Sequence, residues 1–212
     1  MFKTGNSFAD YLLLGVSFLP LLPAVLIIIR RRYDREPFGF LAVICVLCFL
    51  QGLIGLVYPN FSGDYSISGR IISLLLFLFF FLAFRSNLGG RLRYGLNLLM
   101  VALVSAICTY WSLKGWGEPN PVPELLFDGF LVVILCISLR TLIRNAELQI
   151  FRIPLFWIEG GSLFSLLLYL MLEGVGGSWH PLVLTADPEK RLFLGLADLV
   201  RYISYIVAVF AL

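Results

Sequence analysis

The sequence predicts an all-α integral membrane protein, a bundle of seven transmembrane helices with its N-terminus outside the cell and its C-terminus in the cytoplasm. Composition, the spacing of apolar stretches and the placement of basic residues lead to this prediction. Of the 212 residues, 60% are hydrophobic and 14% are charged, whereas a soluble domain has roughly 45–50% apolar and about 25% charged residues. A soluble chain this apolar would expose large apolar patches. The lipid bilayer is therefore the expected surroundings of one domain, residues 1–212.

Seven apolar stretches approach the roughly 20 residues that an α-helix needs to cross a bilayer. They cover residues 11–29, 38–58, 66–84, 94–113, 125–143, 153–172 and 192–212. Pro20 and Pro23 lie within the first stretch and predict a kink, because proline cannot donate a helical hydrogen bond. Gly160, Gly161 and Ser165 lie in the sixth stretch and predict a close approach to another helix.

The basic residues indicate the orientation of these helices. Three alternate loops carry ten arginines, at positions 30, 31, 32, 35, 85, 91, 93, 140, 144 and 152. The loops of the other side, with the adjoining helix ends, carry five basic residues, at positions 3, 70, 114, 190 and 191. Because Lys and Arg concentrate in cytoplasmic loops, this bias places the N-terminus outside. The same bias accounts for the net charge of +3, so we expect no nucleic-acid partner.

The predicted outer loops are rich in Gly, Pro, Asn and Trp. The longest of them contains His180, the single histidine, and Asp128 lies near the outer end of the fifth stretch. Both are candidate outer-face polar residues, and ordinary loop or interface chemistry is the alternative for each. Trp111 is expected among the outer headgroups. Arg70 lies about one turn inside the third stretch, where it is expected to reach the outer surface or pair with Asp64.

Three charged residues within the last two stretches form the main candidate site. Glu159 lies in the sixth stretch, and Arg201 lies in the seventh with Asp198 three residues before it. Consecutive helices are often neighbours, and the three residues are predicted at similar depth, so we expect a buried Glu159–Arg201–Asp198 cluster. Intramembrane charges favour a switch, an ion or proton site, or an anion-binding arginine. The alternative is a structural ion pair that sets the helix register.

The sequence contains no motif of an enzyme or a cofactor site. One histidine cannot build a His-based zinc site, and the chain has neither a Gly-rich phosphate loop nor a nucleophile elbow. Cys45, Cys48, Cys108 and Cys136 all lie in apolar stretches, where small buried side chains are expected. We therefore expect a non-enzymatic protein without a cofactor or a metal.

Residues 31–37, ArgArgTyrAspArgGluPro, precede the second stretch. They resemble the Tyr-Asp-x-Glu-Pro segment of PrsW-type intramembrane metalloproteases. That family relies on an adjacent pair of glutamates and on histidines in later helices, which this chain does not have. The resemblance therefore does not imply protease activity. Positive charge in a cytoplasmic loop, with Pro37 opening a helix, accounts for the same residues.

Residues 153–158, IleProLeuPheTrpIle, with the following GGSLFSLLLYLML and the final stretch, are similar to small seven-helix bacterial membrane proteins of the sensor type. The resemblance implies a sensor in the bacterial inner membrane that signals through a separate cytoplasmic partner such as a kinase. The expected contact surface comprises Arg85, Arg91, Arg93, Arg140, Arg144 and Arg152. An accessory subunit of a membrane complex is the second hypothesis for the function, and a small-molecule or ion transporter is the third.

The predicted orientation can be tested with a reporter fused after Leu212. We expect a fused fluorescent protein to fold in the cytoplasm and a fused alkaline phosphatase to stay inactive, because the arginine-rich loops remain inside. An active phosphatase at this position would contradict the orientation or the number of spans.

Overall fold

A computed structural model describes residues 14–35, 37–57, 67–85, 88–116, 122–145, 150–175 and 188–211. Every regular element within these ranges is helical, which confirms the predicted all-α class. A 3₁₀ helix at Ile150–Arg152 precedes the sixth of the α-helices. The α-helices are α1 (Leu21–Ile29), α2 (Phe38–Val57), α3 (Ile67–Arg85), α4 (Gly90–Lys114), α5 (Val122–Asn145), α6 (Pro154–Val175) and α7 (Pro188–Phe210).

Four helices in the described part of the chain are long and apolar enough to cross a membrane. They are Gly90–Lys114, Leu125–Asn145, Pro154–Leu172 and Leu192–Phe210. Two further apolar helices, Leu14–Ile29 and Phe38–Ile54, are shorter. Length and composition thus support a membrane protein with four such helices, rather than the seven that the sequence predicts. The count of seven spans and their orientation stay predictions.

The first predicted stretch is interrupted at a proline. Residues 14–18 are helical, the chain turns at 19–20, and α1 begins after Pro20, whose φ of −57° suits a helix start. The predicted interruption is confirmed, because Pro20 has no N–H to continue the preceding helix. Other boundaries differ by a few residues, and α4 and α5 extend beyond the predicted stretches at both ends. Polar residues in their terminal turns are compatible with a helix that continues past its apolar part.

Six of the helices form a closed ring in which neighbouring helices contact each other. α1 packs against α2, α2 against α3, α3 against α5, α5 against α6, α6 against α7, and α7 against α1. The α6–α7 contact is the most extensive of these. Aromatic side chains join α3 to α5, where the rings of Phe77 and Phe127 stack with centroids 4.4 Å apart.

Helix α4 packs less closely than the helices of the ring. Leu98 and Leu99 are more than half exposed, and Leu113 is 80% exposed. In water such side chains would form an aggregation-prone surface. In a bilayer they face acyl chains. Leu96, Ile107 and Trp111 are the buried residues of α4, and the indole of Trp111 lies against the rings of Trp116 and Phe127.

The ends of α1 and α7 are joined through the first arginine cluster. A guanidinium nitrogen of Arg30 donates to the carbonyl of Val209 at 3.4 Å, and its carbon lies 4.0 Å from the ring centre of Phe210. Arg31 follows with a φ of +49°, a left-handed conformation that is uncommon for residues other than glycine. The amide of Arg32 then bonds to the carbonyl of Ile27. This end of α1 is therefore a tight turn fastened to the end of α7.

Helices α6 and α7 approach each other closely at Gly161. A Cβ atom placed on Gly161 would lie 2.6 Å from the Cβ of Ser204 and 3.5 Å from the Cα of Arg201. The predicted small-residue contact is therefore confirmed at Gly161. A Cβ on the neighbouring Gly160 would meet nothing within 4 Å.

We expect Gly161→Ala to destabilise the protein by about 1–3 kcal/mol, the usual cost of extra atoms in a packed contact. The measurement is unfolding of the detergent-solubilised protein by SDS, followed by tryptophan fluorescence. Gly160→Ala is the matched control and should leave the free energy of unfolding nearly unchanged. Equal effects of the two substitutions would contradict the close contact at Gly161.

Candidate functional site

The candidate site lies between α6 and α7. Arg201 and Asp198 form an ion pair, with a guanidinium nitrogen 2.7 Å from a carboxylate oxygen. The two residues are three positions apart on α7 and therefore share a face of the helix. Their side chains are 12% and 21% exposed. This half of the predicted cluster is confirmed.

Two tyrosines complete the surroundings of the ion pair. The hydroxyl of Tyr169 on α6 donates to the second carboxylate oxygen of Asp198 at 2.9 Å. Arg201 donates to the hydroxyl of Tyr202 at 2.9 Å, and its guanidinium carbon lies 4.9 Å from the centre of that ring. The charges are thus compensated by one another and by hydroxyl groups. Tyr169 is the residue that connects the pair to the neighbouring helix.

Glu159 is fully buried but occupies a different place. The hydroxyl of Ser138 on α5 donates to one of its carboxylate oxygens at 2.5 Å, and Glu159 forms no ion pair within the described residues. The predicted contact with Arg201 is therefore wrong. Gly161, two positions along α6, faces Arg201 and Ser204. Because consecutive helical residues are about 100° apart, Glu159 points to roughly the opposite side of α6, toward α5.

A second polar contact crosses the α6–α7 interface beside the ion pair. The hydroxyls of Ser162 and Tyr205 lie 2.7 Å apart, and both residues are buried. Ser162 also donates to the carbonyl of Ile158 at 2.7 Å, so the Tyr205 hydroxyl is the donor between the two side chains. Together with the Tyr169–Asp198 bond, this contact sets the register of α6 against α7.

The site contains neither a nucleophile–base arrangement nor a metal cage in the part of the chain that the structure describes. No group of three His, Cys, Asp or Glu residues there is placed to hold a metal ion. Cys45, Cys48, Cys108 and Cys136 are free thiols. What the arrangement does chemically is hold a charged pair inside a helix interface, where breaking it changes the contact between two helices.

Asp128 and His180 were predicted as polar residues of the outer face. Asp128 lies in the second turn of α5, is half-buried and interacts with another residue. It forms no part of the ion pair between Asp198 and Arg201. His180 lies outside the described residues.

The predicted contact arginines fall into different environments. Arg85 donates to the side-chain oxygen of Asn97 at 2.9 Å, which ties the end of α3 to α4. Arg91 and Arg152 are exposed, and Arg93 is half-buried. Arg140 and Arg144 line an open cavity at the end of α5.

Among the arginines of the first cluster, partial burial lowers the pKa of Arg32, helped by the positive charges of Arg30 and Arg35. The guanidinium still carries its charge at any physiological pH.

Sequence reasoning missed a second buried arginine. Arg70 is fully buried, with its guanidinium carbon 5.2 Å from the ring centre of Trp111. The expectation that Arg70 reaches the outer surface is wrong, because its side chain packs against the buried indole of Trp111. The alternative, a pairing with Asp64, lies outside the described residues. The depth of Trp111 among the outer headgroups stays a prediction. Both residues were placed near the outer ends of their stretches, so their similar predicted depth is the signal that would have paired them.

Comparisons with protein families, with curated proteins and with solved structures found no match for this chain.

The contribution of the ion pair can be measured with a double-mutant cycle. We expect Arg201→Met to cost nearer the lower end of the roughly 3–5 kcal/mol typical of a broken buried pair, because the carboxylate that remains is 21% exposed. The double substitution Asp198→Asn, Arg201→Met should be less destabilising than Arg201→Met alone, because it leaves no lone charge.

Tyr169→Phe is the companion to this cycle, and should cost about 0.6–1.7 kcal/mol, as interhelical hydrogen bonds in membrane proteins do. SDS-induced unfolding gives each value. Strictly additive effects of Asp198→Asn and Arg201→Met would contradict a coupled pair.

Proposed function

We propose that this protein is a non-enzymatic membrane sensor, a receptor-like module with seven spans that signals through a separate cytoplasmic partner. The main support for this proposal is the position of α7. This helix contains the buried Asp198–Arg201 pair and ends in the contact with Arg30. A single helix therefore joins a charged interior site to a basic turn at the end of the bundle.

The distance between these two contacts is short and spanned by continuous helix. Eight residues separate Arg201 from Val209, which corresponds to about 12 Å at 1.5 Å per residue. If α7 rotated or shifted at the ion pair, the movement would be transmitted along the helix to the Arg30 contact, because no loop intervenes. Arg31 follows Arg30 in an uncommon backbone conformation, so release of Arg30 would let this turn rearrange.

Seven spans require the first helical region, α2 and α3 to cross the membrane in addition to the four longer helices. α2 has 20 residues and α3 has 19, and both are strongly apolar. The first helical region contributes Leu14–Ile29. With the arginine bias, seven spans would leave the C-terminal end of α7 in the cytoplasm. The inner membrane of a bacterium belongs to the proposal through the resemblance of residues 153–158 to bacterial sensor-type proteins. The basic turn at Arg30 then lies on the same side as the arginines of the later loops.

An accessory subunit of a membrane complex is the second proposal, favoured by α4. Its exposed apolar side chains, Leu98, Leu99 and Leu113 among them, suit a neighbouring helix as well as lipid. A transporter ranks third. The buried charges motivate it, but within the described residues Arg201 is paired with Asp198, and the hydroxyls of Tyr202 and Tyr169 bond to this pair.

The test is purification of the tagged full-length protein from its native host in mild detergent, with mass spectrometry of the proteins that accompany it. A sensor should retain a stoichiometric cytoplasmic signalling protein, and Arg30→Gln should reduce the amount retained because it releases α7 from the basic turn. Lys114→Gln, an exposed lysine at the other end of the bundle, is the matched control and should leave the partner bound.

Recovery of a stoichiometric assembly of other membrane proteins would support the accessory-subunit proposal instead. Recovery of the protein alone from crosslinked cells would contradict both.

A further inference from the structure

The last turns of α5 border a partly open cavity of about 460 Å³. It is lined by Ile137, Arg140, Thr141, Arg144 and Asn145. Because these residues recur at three- and four-residue intervals, they form one face of the helix. Ile137 lies nearest the middle of α5, whereas the two arginines lie toward its end. The cavity is therefore apolar at one end and basic at the other.

The described residues that line this cavity carry two positive charges, on Arg140 and Arg144, and no negative charge. Their β-carbons are about 5–6 Å apart, as is usual one turn along a helix, and their like charges repel. Neither guanidinium forms an ion pair or hydrogen bond with any residue of the described ranges. The carbonyls at the C-terminus of α5 offset only about half an elementary charge. An anion between the two guanidiniums would relieve the repulsion that remains.

Aromatic residues follow the end of α5 in the chain. The 3₁₀ helix after α5 and the start of α6 bring together Phe151, Phe156 and Trp157, with ring centroids 5.5–6.1 Å apart. The indole N–H of Trp157 donates to the carbonyl of Phe151 at 2.8 Å, and Phe151 is 64% exposed. Aromatic residues are typical of the headgroup level of a bilayer, and this group begins six positions after Asn145.

We propose that this cavity binds the headgroup of an anionic phospholipid, with its phosphate between Arg140 and Arg144 and an acyl chain along Ile137. The hydroxyl of Thr141 donates to the carbonyl of Ile137 at 2.8 Å, so the available donors are the two guanidiniums and the amide of Asn145. The positive charge of the two guanidiniums attracts the phosphate. The apolar end selects a lipid over a soluble anion, since a free phosphate would leave Ile137 uncovered.

The test compares phosphatidylglycerol with phosphatidylcholine of the same chain length, added to the purified full-length protein and counted by native mass spectrometry. Arg140→Gln with Arg144→Gln should weaken phosphatidylglycerol binding about 25-fold, because each basic side chain near an anionic surface contributes roughly fivefold. Arg91→Gln with Arg93→Gln is the matched control and should leave binding unchanged. Arg140→Lys with Arg144→Lys keeps the charge and should retain most of the affinity.

Three results would overturn the proposal. The first is equal binding of phosphatidylcholine and phosphatidylglycerol by the wild type. The second is an equal loss of phosphatidylglycerol binding in the two Gln pairs. The third is displacement of phosphatidylglycerol by millimolar inorganic phosphate, which would indicate a site for soluble anions. Thermal unfolding of each variant shows whether it is folded. If the Gln pair fails to fold, the Lys pair decides, since loss of lipid from a folded Lys pair would also contradict the proposal.

Discussion

The close approach of α6 and α7 at Gly161 is the contact on which the polar interior of this protein depends. The absence of a side chain at Gly161 lets Ser204 and the backbone at Arg201 come near α6. The Tyr169–Asp198 and Ser162–Tyr205 contacts both cross the same interface. In a bilayer, apolar surface alone does not drive helices together, because lipid tails are equally apolar. Close packing and hydrogen bonds between helices must therefore supply the attraction.

The same interface explains how charged residues are accommodated away from water. Asp198 and Arg201 compensate each other along one helix, and Tyr169 and Tyr202 supply the remaining polar contacts. Glu159 is accommodated separately through Ser138 on α5. Helix α6 thus has polar contacts on two opposite sides, with α7 and with α5. A movement of α6 relative to its neighbours would affect the contacts on both sides.

The arginines illustrate how position determines the role of one residue type. Arg70 is buried against an indole, and Arg201 is paired within a helix interface. Arg30 and Arg85 join helix ends through hydrogen bonds. Arg140 and Arg144 line an open cavity, where their positive charges are accessible to an anion. The planar, permanently charged guanidinium suits each role, because it both stacks on aromatic rings and donates several hydrogen bonds.

The sequence by itself determined the membrane class, the all-helical structure and the approximate limits of the helices, because long apolar stretches have few stable alternatives in a bilayer. It also determined the Asp198–Arg201 pair, which follows from spacing within one helix, and the interruption at Pro20, which follows from the missing N–H of proline. Only the tertiary structure decided that Glu159 faces Ser138 and that Arg70 is buried beneath Trp111. Those contacts depend on how each helix is rotated about its axis, and uniformly apolar helices contain little information about that rotation. The contact between α1 and α7 was likewise decided only by the tertiary structure, because it arises from packing between helices that are distant in the chain.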